Sequence, residues 1–358
     1  MRNRLTPCWW LCCVVMVACP GGVEACKLIS PNADRAMSFA RHLVGACTPD
    51  QRRELAVPAQ EVFQAIREGR HVDLVGVEIG GVIHFDRLPL QDVTSDTVPL
   101  PSLRAALRAR GIRQVRVVRG TLSIQDSTVP DVLATNLLEG AIIFHGPVTM
   151  KGTTFRRSID FSKSVFLKPL DFSDAVILYE TFFIEAQFFG PVAFEAVSFG
   201  THTRFYRSVF HESVTFARSR FQGLAEFLEI HTQATADFSS VIFSQGTGFS
   251  GARFGRDVKF SNSRFEHETF FRFTEFRARA DFQQATFEQT VDFTGAIFRV
   301  NPDFSHATFA RPPNPSLPIP ALRSNMLWQW VFEQRQQLIV FVILATATII
   351  TIWTLRRA

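Results

Sequence analysis

Between Phe144 and Phe309, steps of alternately six and five residues land on phenylalanine almost without fail. Of the 31 positions on that grid 28 are Phe, the exceptions being Met150, Ile177 and Thr232. A period this strict marks a repeat architecture, in which each unit buries its apolar face against the next. The composition of 37 Phe against 2 Tyr is a consequence of the grid. The net charge of +5 is not, because the arginine surplus lies N-terminal to the repeats. The repeats themselves are close to neutral, which is no electrostatic footprint for nucleic acid.

Two positions before a grid Phe the side chain is generally small, as with Ala280 before Phe282 and Ala285 before Phe287. A small and a large residue two apart share one side of the chain only if the backbone is extended. Polar, turn-forming residues surround them, such as Asp292 before Phe293 and Thr294-Gly295 after it. Each unit is therefore a short extended side followed by a corner. A right-handed helical supercoil also has an eleven-residue period, but this density of Phe, Thr, Ser, Val and Gly disfavours helix. A membrane β-barrel needs strands of about ten residues, longer than these units allow. An all-β solenoid remains.

The units Ala236-Asp237-Phe238-Ser239-Ser240, Ala280-Asp281-Phe282-Gln283-Gln284 and Val291-Asp292-Phe293-Thr294-Gly295 carry a small residue, Asp, Phe, then two turn residues. In them the chain resembles the pentapeptide-repeat family, in a Phe-rich form with a sixth residue in every second unit. The resemblance implies a right-handed quadrilateral β-helix with four units per coil. Two eleven-residue periods then make a coil of 22 residues, and the grid makes about seven and a half coils, a rod roughly 36 Å long at ~4.8 Å per strand. Thr232, preceded at two positions by the larger Ile230, predicts a bulge or altered corner near 228–235.

Residues 1–25 read as a secretory signal, with Arg2 and Arg4, an apolar core from Trp9 to Ala18, and Val23-Glu24-Ala25 as cleavage site. Met16-Val17-Ala18-Cys19 also supports a lipid-anchored reading. Beyond the signal only Cys26 and Cys47 remain, and in an exported chain they suggest a disulfide. Helical spacing runs over Ala33–Val44 and Val57–Glu68 within an N-terminal helical segment, 26–70. Segment 71–143 reads as an irregular, strand-rich lead-in and cap, with a helix at Ser102–Arg110. Arg104, Arg108, Arg110, Arg113, Arg116 and Arg119 cluster there, the last three expected to be exposed. The cluster is either a solvated face or a patch for an anionic ligand.

Off the grid, Phe182, Phe270 and Phe273 flank the side of the coil that carries Phe161, Phe183 and their successors. Ile184, Tyr206 and Leu228 share one outward slot at 22-residue intervals and predict an exposed apolar ridge. Phe189 adds apolar surface on the early coils. Exposed apolar patches mark contact surfaces. The occupant is the N-terminal segment folded back, another protein, or a second copy of the chain. The histidines fall at different phases of the coil, and no motif of catalytic, cofactor-binding or metal-ligating residues is evident.

After residue 310 a proline-rich linker and juxtamembrane segment covers 311–337. Leu338–Leu355 is an uncharged run of 18 residues, long enough to span a bilayer as a transmembrane helix. Arg356 and Arg357 place the short tail, 356–358, in the cytoplasm. The expectation is a single-pass protein of a bacterial inner membrane, its rod on the extracytoplasmic side. It would act as a non-catalytic structural or protein-interaction scaffold, with no cofactor and no nucleic-acid partner. The alternative is an envelope-associated enzyme or anionic-ligand-binding protein using the arginine cluster. DNA mimicry, known for some members of the resembled family, fits neither the export signal nor the near-neutral rod.

Overall fold

The computed structural model describes residues 25–31, 36–129 and 140–313. Within them the chain winds as a β-solenoid whose sides are four sheets. One coil crosses face I at Ile142–Phe144, face II at Val148–Thr149, face III at Thr154–Phe155 and face IV at Ile159–Asp160, and regains face I at Ser164–Phe166. Successive coils pair parallel and 22 residues apart, Ile142 opposite Ser164 and Val148 opposite Leu170. Strands this short close only because the chain leaves each one through a compact corner.

Two kinds of corner explain the alternation of five and six. The five-residue steps turn through sequences such as Phe161-Ser162-Lys163-Ser164, where the Ser164 N–H donates to the Phe161 carbonyl at 3.2 Å. The third residue of that turn takes positive φ, as a type II turn requires. Lys163 has φ 58°, Asp174 62°, Glu185 55° and Ala196 55°, an eleven-residue series that alternates between two opposite corners along the rod. The six-residue steps form the other two corners, where backbones of adjacent coils approach closely. At Gly223 a Cβ would sit 1.8 Å from the Thr201 carbonyl oxygen, so only glycine fits.

Inside, each face contributes one ladder of rings. On face IV Phe183 and Phe205 stack at 5.1 Å and 5°, and Phe205 and Phe227 at 5.3 Å and 4°. Ladders meet edge to face, as Phe216 meets Phe227 at 5.3 Å and 83°. Offset stacking and perpendicular contact are the two arrangements the ring quadrupole favours. Each buried ring contributes on the order of 2–3 kcal/mol. Buried hydroxyls at the small positions donate to main-chain carbonyls, Ser219 to Phe194 at 2.5 Å and Thr274 to Phe249 at 2.8 Å.

Several expectations need correction. No bulge forms at Thr232: strand His231–Thr232 pairs in register with Val209–Phe210 and with Arg253–Phe254. Buried Ile230 supplies bulk where neighbouring coils have a small residue, so the order of small and large is inverted and the backbone is undisturbed. Of the helical stretch Ala33–Val44, residues 38–44 instead form strand Ser38–Val44, because His71–Val75 offers a strand to pair with and pairing overrides the local pattern. Four strands of the lead-in continue the faces of the coil. His71–Val75 and Leu122–Gln125 belong to face II, Gln114–Val118 to face I and Thr128–Val129 to face III. The longest sheet has eleven strands, which at ~4.8 Å spacing makes the rod roughly 48 Å long.

The N-terminal end is closed by strand Lys27–Ile29, antiparallel to Ser38–Val44, and by helices α1 (Pro49–Glu54) and α2 (Ala59–Arg67). A Thr48–Gln51 capping box opens α1, and α2 buries Ala59, Val62, Ala65 and Ile66. A 3₁₀ turn at Phe85–Arg87 inserts Phe85 edge-on against Phe144 at 5.5 Å, extending the ring core into the cap. Cys26 and Cys47 are joined in a disulfide that ties this end together. Helix α3 (Pro101–Ala109) lies outside the coil with Leu103 and Leu107 in a second apolar cluster. Among the described residues no helix is long and apolar enough to cross a membrane. The expected span 338–355, most of its linker, and the signal through residue 24 lie outside the described residues.

Candidate functional site

Face IV gathers most of the residues expected to form a contact surface. Ile184, Tyr206 and Leu228 are half-buried and stacked on successive coils, the Glu185 N–H donating to the Tyr206 carbonyl at 2.8 Å and the Arg207 N–H to that of Leu228 at 3.0 Å. Phe182 lies beside them, its ring perpendicular to the His202 imidazole at 5.9 Å. Farther along, Phe270 is half-buried under the Arg272 guanidinium at 4.8 Å. Phe189 does not belong to this surface: it is on face I, packed with Leu167 against the α3 cluster. A residue of the N-terminal third therefore covers that part of the apolar surface.

Several charges on face IV are paired along the face itself. Glu226 accepts from Arg204 at 2.6 Å and pairs with His202 at 2.7 Å. Burial works to raise the Glu226 carboxyl, but these two partners outweigh it and hold it below the usual carboxylate range. Arg207 bonds Glu229 at 2.8 Å while lying 4.7 Å from the Tyr206 ring centre, and Arg272 bonds Asp292 at 2.5 Å. Apolar groups are left between self-neutralised pairs.

Phe273 shares the positive-φ turn position with Lys163, Asp174 and Glu185 and differs from them in its side chain. It occupies the positive-φ position of its turn, at φ 55°, and is 70% exposed. A bulky side chain in that region is strained by about 1 kcal/mol or more. The same slot holds Gly251 one coil earlier and Gly295 one coil later. The ring lies against Gly295, where a Cβ would come within 2.5 Å of the Phe273 Cδ1. Sequence reasoning missed these two glycines, and it missed Leu224 and Gly248. Leu224 is exposed on the same face, and Leu228 leans over Gly248 so closely that a Cβ there would meet its Cδ2 at 2.9 Å. The signal was present: glycines set 22 residues from an aromatic in one column clear the space around it.

The six arginines do not form one patch. Arg104 donates to the Val98 and Pro99 carbonyls at 2.6 and 3.0 Å, and Arg108 to that of Val93 at 2.9 Å, so both hold the loop before α3. Arg119 bonds Asp96 at 2.7 Å and thereby lowers that carboxyl. Arg110 reaches across to Glu185 at 2.5 Å. Arg116, expected to be exposed, is half-buried with its Nε donating to the Asp86 carbonyl at 2.8 Å, because the loop at 86 folds over its strand. The Arg113 guanidinium alone makes no hydrogen bond or ion pair among the described residues. His211 and His231 lie on adjacent coils of face I, and burial lowers the pKa of both. Among the described residues no group of three or more metal-capable side chains occurs.

Comparison with family models, with curated proteins and with solved structures gives no match.

Proposed function

We propose that the chain is a non-catalytic recognition scaffold of the pentapeptide-repeat kind. Its right-handed quadrilateral β-helix holds face IV rigid for a protein partner, on the extracytoplasmic side of a bacterial inner membrane and tethered by residues 338–355. The observation that carries this reading is Phe273. It is a large apolar side chain, 70% exposed, at a turn position that Gly251 and Gly295 fill without a side chain one coil to either side, and exposed apolar surface of this kind marks a contact. The paired charges of face IV support it as well, since a partner docking there strips water from few unpaired ions.

The test places a photo-crosslinking residue at Ile184 or Leu228 on face IV and, as control, at Arg220 on face III, in the full chain in native membranes. A discrete adduct from face IV alone is expected. Phe273→Gly should raise stability by about 1 kcal/mol by relieving the positive-φ strain, and should abolish the adduct. Equal labelling from face III, or an adduct undiminished in Phe273→Gly, refutes the reading.

A further inference from the structure

Between the C-terminal end of α3, the strand Gln114–Val118 that follows it, and the outer surface of face I lies a cleft of about 1000 Å³. Its volume is at the upper end of those that enclose small organic ligands. Four cationic side chains line it, Arg110, Arg113, Arg116 and Lys163, against two carboxylates. One carboxylate, Glu185, is taken up by Arg110. The other, Asp86, is turned towards His84, its Oδ1 buried and 3.5 Å from the His84 Nδ1. The Arg113 guanidinium has no partner among the described residues, and that of Arg116 commits only its Nε, to a main-chain carbonyl. Two guanidinium groups therefore keep their terminal amines for something else.

The other walls are apolar. Leu107 and Val165 are buried at the base with half-buried Ile112 beside them. At the rim, no atom of the described residues lies within 4 Å of where a Gly111 Cβ would stand. Guanidinium groups bind planar or tetrahedral oxyanions in forked pairs, and more strongly beside apolar walls that exclude water. We propose that this cleft binds an organic oxyanion, a phosphate or carboxylate carried on an apolar body, with Arg113 and Arg116 on the oxyanion and the body against Leu107, Ile112 and Val165. The site lies on face I and does not depend on the partner surface of face IV.

The experiment titrates phenyl phosphate into the full-length protein in a neutral detergent, followed calorimetrically, with benzyl alcohol as the uncharged counterpart. Saturable binding of phenyl phosphate is expected. Arg113→Gln should weaken it roughly tenfold or more, the loss of a charge-assisted bond. Because Arg113 supports nothing else, that variant keeps its fold. Glu185→Gln should tighten binding several-fold by releasing Arg110. Arg218→Gln, which removes an arginine paired to Glu195 outside the cleft, should leave it unchanged. Phenyl phosphate binding no better than benzyl alcohol, Arg113→Gln binding like the parent, or Arg218→Gln weakening it equally each overturns the proposal. Competition by phosphatidylglycerol vesicles, against phosphatidylcholine vesicles as blank, assigns the oxyanion to a lipid headgroup. Its absence, with phenyl phosphate still bound, assigns it to a soluble anion.

Discussion

Ile230 and Thr232 allow the ring ladder to be tested as an energetic unit. On face I, Ala186 precedes Phe188 and Ala252 precedes Phe254, whereas the coil between Phe210 and Phe254 carries Ile230 before Thr232. Both residues are buried, and the Thr232 Oγ1 has no hydrogen-bond partner. Ile230→Ala alone opens a cavity and should cost about 2–5 kcal/mol. Thr232→Phe alone forces a ring into space Ile230 already fills and should cost about 1–3 kcal/mol. The double variant recreates the neighbouring pattern. Its ring gains about 2–3 kcal/mol from burial. Stacking on Phe210 and Phe254 adds about 0.5–1.5 kcal/mol for each contact. Removing the unpartnered hydroxyl adds about 1–3 kcal/mol. The double variant should therefore match or exceed the parent, with a coupling energy of at least about 3 kcal/mol, at or above the top of the usual range. Urea unfolding of the four members of the cycle, with amide exchange at Gln233 and Arg253 as a local readout, measures it. Effects that add to within about 0.5 kcal/mol would show that ladder and small position are independent, contrary to the packing described.

Two further outcomes follow from the ends of the rod. The Asp303 carboxyl is lowered from 3.8 to about 2, first by the Ser305 hydroxyl and main-chain N–H; burial opposes them, and Gln283 and Arg279 add smaller lowering effects. A depressed folded pKa gives stability that is present above 3.8 and lost as pH falls towards 2. Amide exchange in the last coils should accelerate across that window, and Asp303→Asn should remove the pH dependence. At the other end the Cys26–Cys47 bridge closes a loop of 21 residues, and its reduction should destabilise the N-terminal cap by about 3 kcal/mol, read as a lower urea midpoint in reductant. An unchanged midpoint would show the cap to be held by Phe39, Val62 and the strand pairing alone.

The coil of 22 residues, the inward grid and the shared slot of Ile184, Tyr206 and Leu228 were legible in the sequence because large and small residues recur at a fixed period, but the sequence did not show that these three are half-buried. The lead-in was not, because Leu74, Leu122 and Ile124 fill the same core with aliphatic side chains at irregular spacing, and a period is what the eye detects. Strand Ser38–Val44 was misread because its pattern depends on a pairing partner some thirty residues away in sequence. The arginines were legible as a cluster but not as a cleft. Which guanidinium groups are consumed depends on carbonyls at 86, 93, 98 and 99, and main-chain oxygens leave no trace in residue type.

The two kinds of corner impose a rule on how such a chain can change in length. Because turn and ring pattern recur every eleven residues, removing eleven leaves every ring on a ladder and every left-handed residue in a turn. It also rotates all that follows by half a coil, so that face IV continues as face II and face I as face III. Removing 22 shortens the rod and leaves each face continuous. Duplications and deletions tolerated by the core thus come in two parities, one neutral for surface recognition and one that carries a binding residue such as Phe273 to the opposite side.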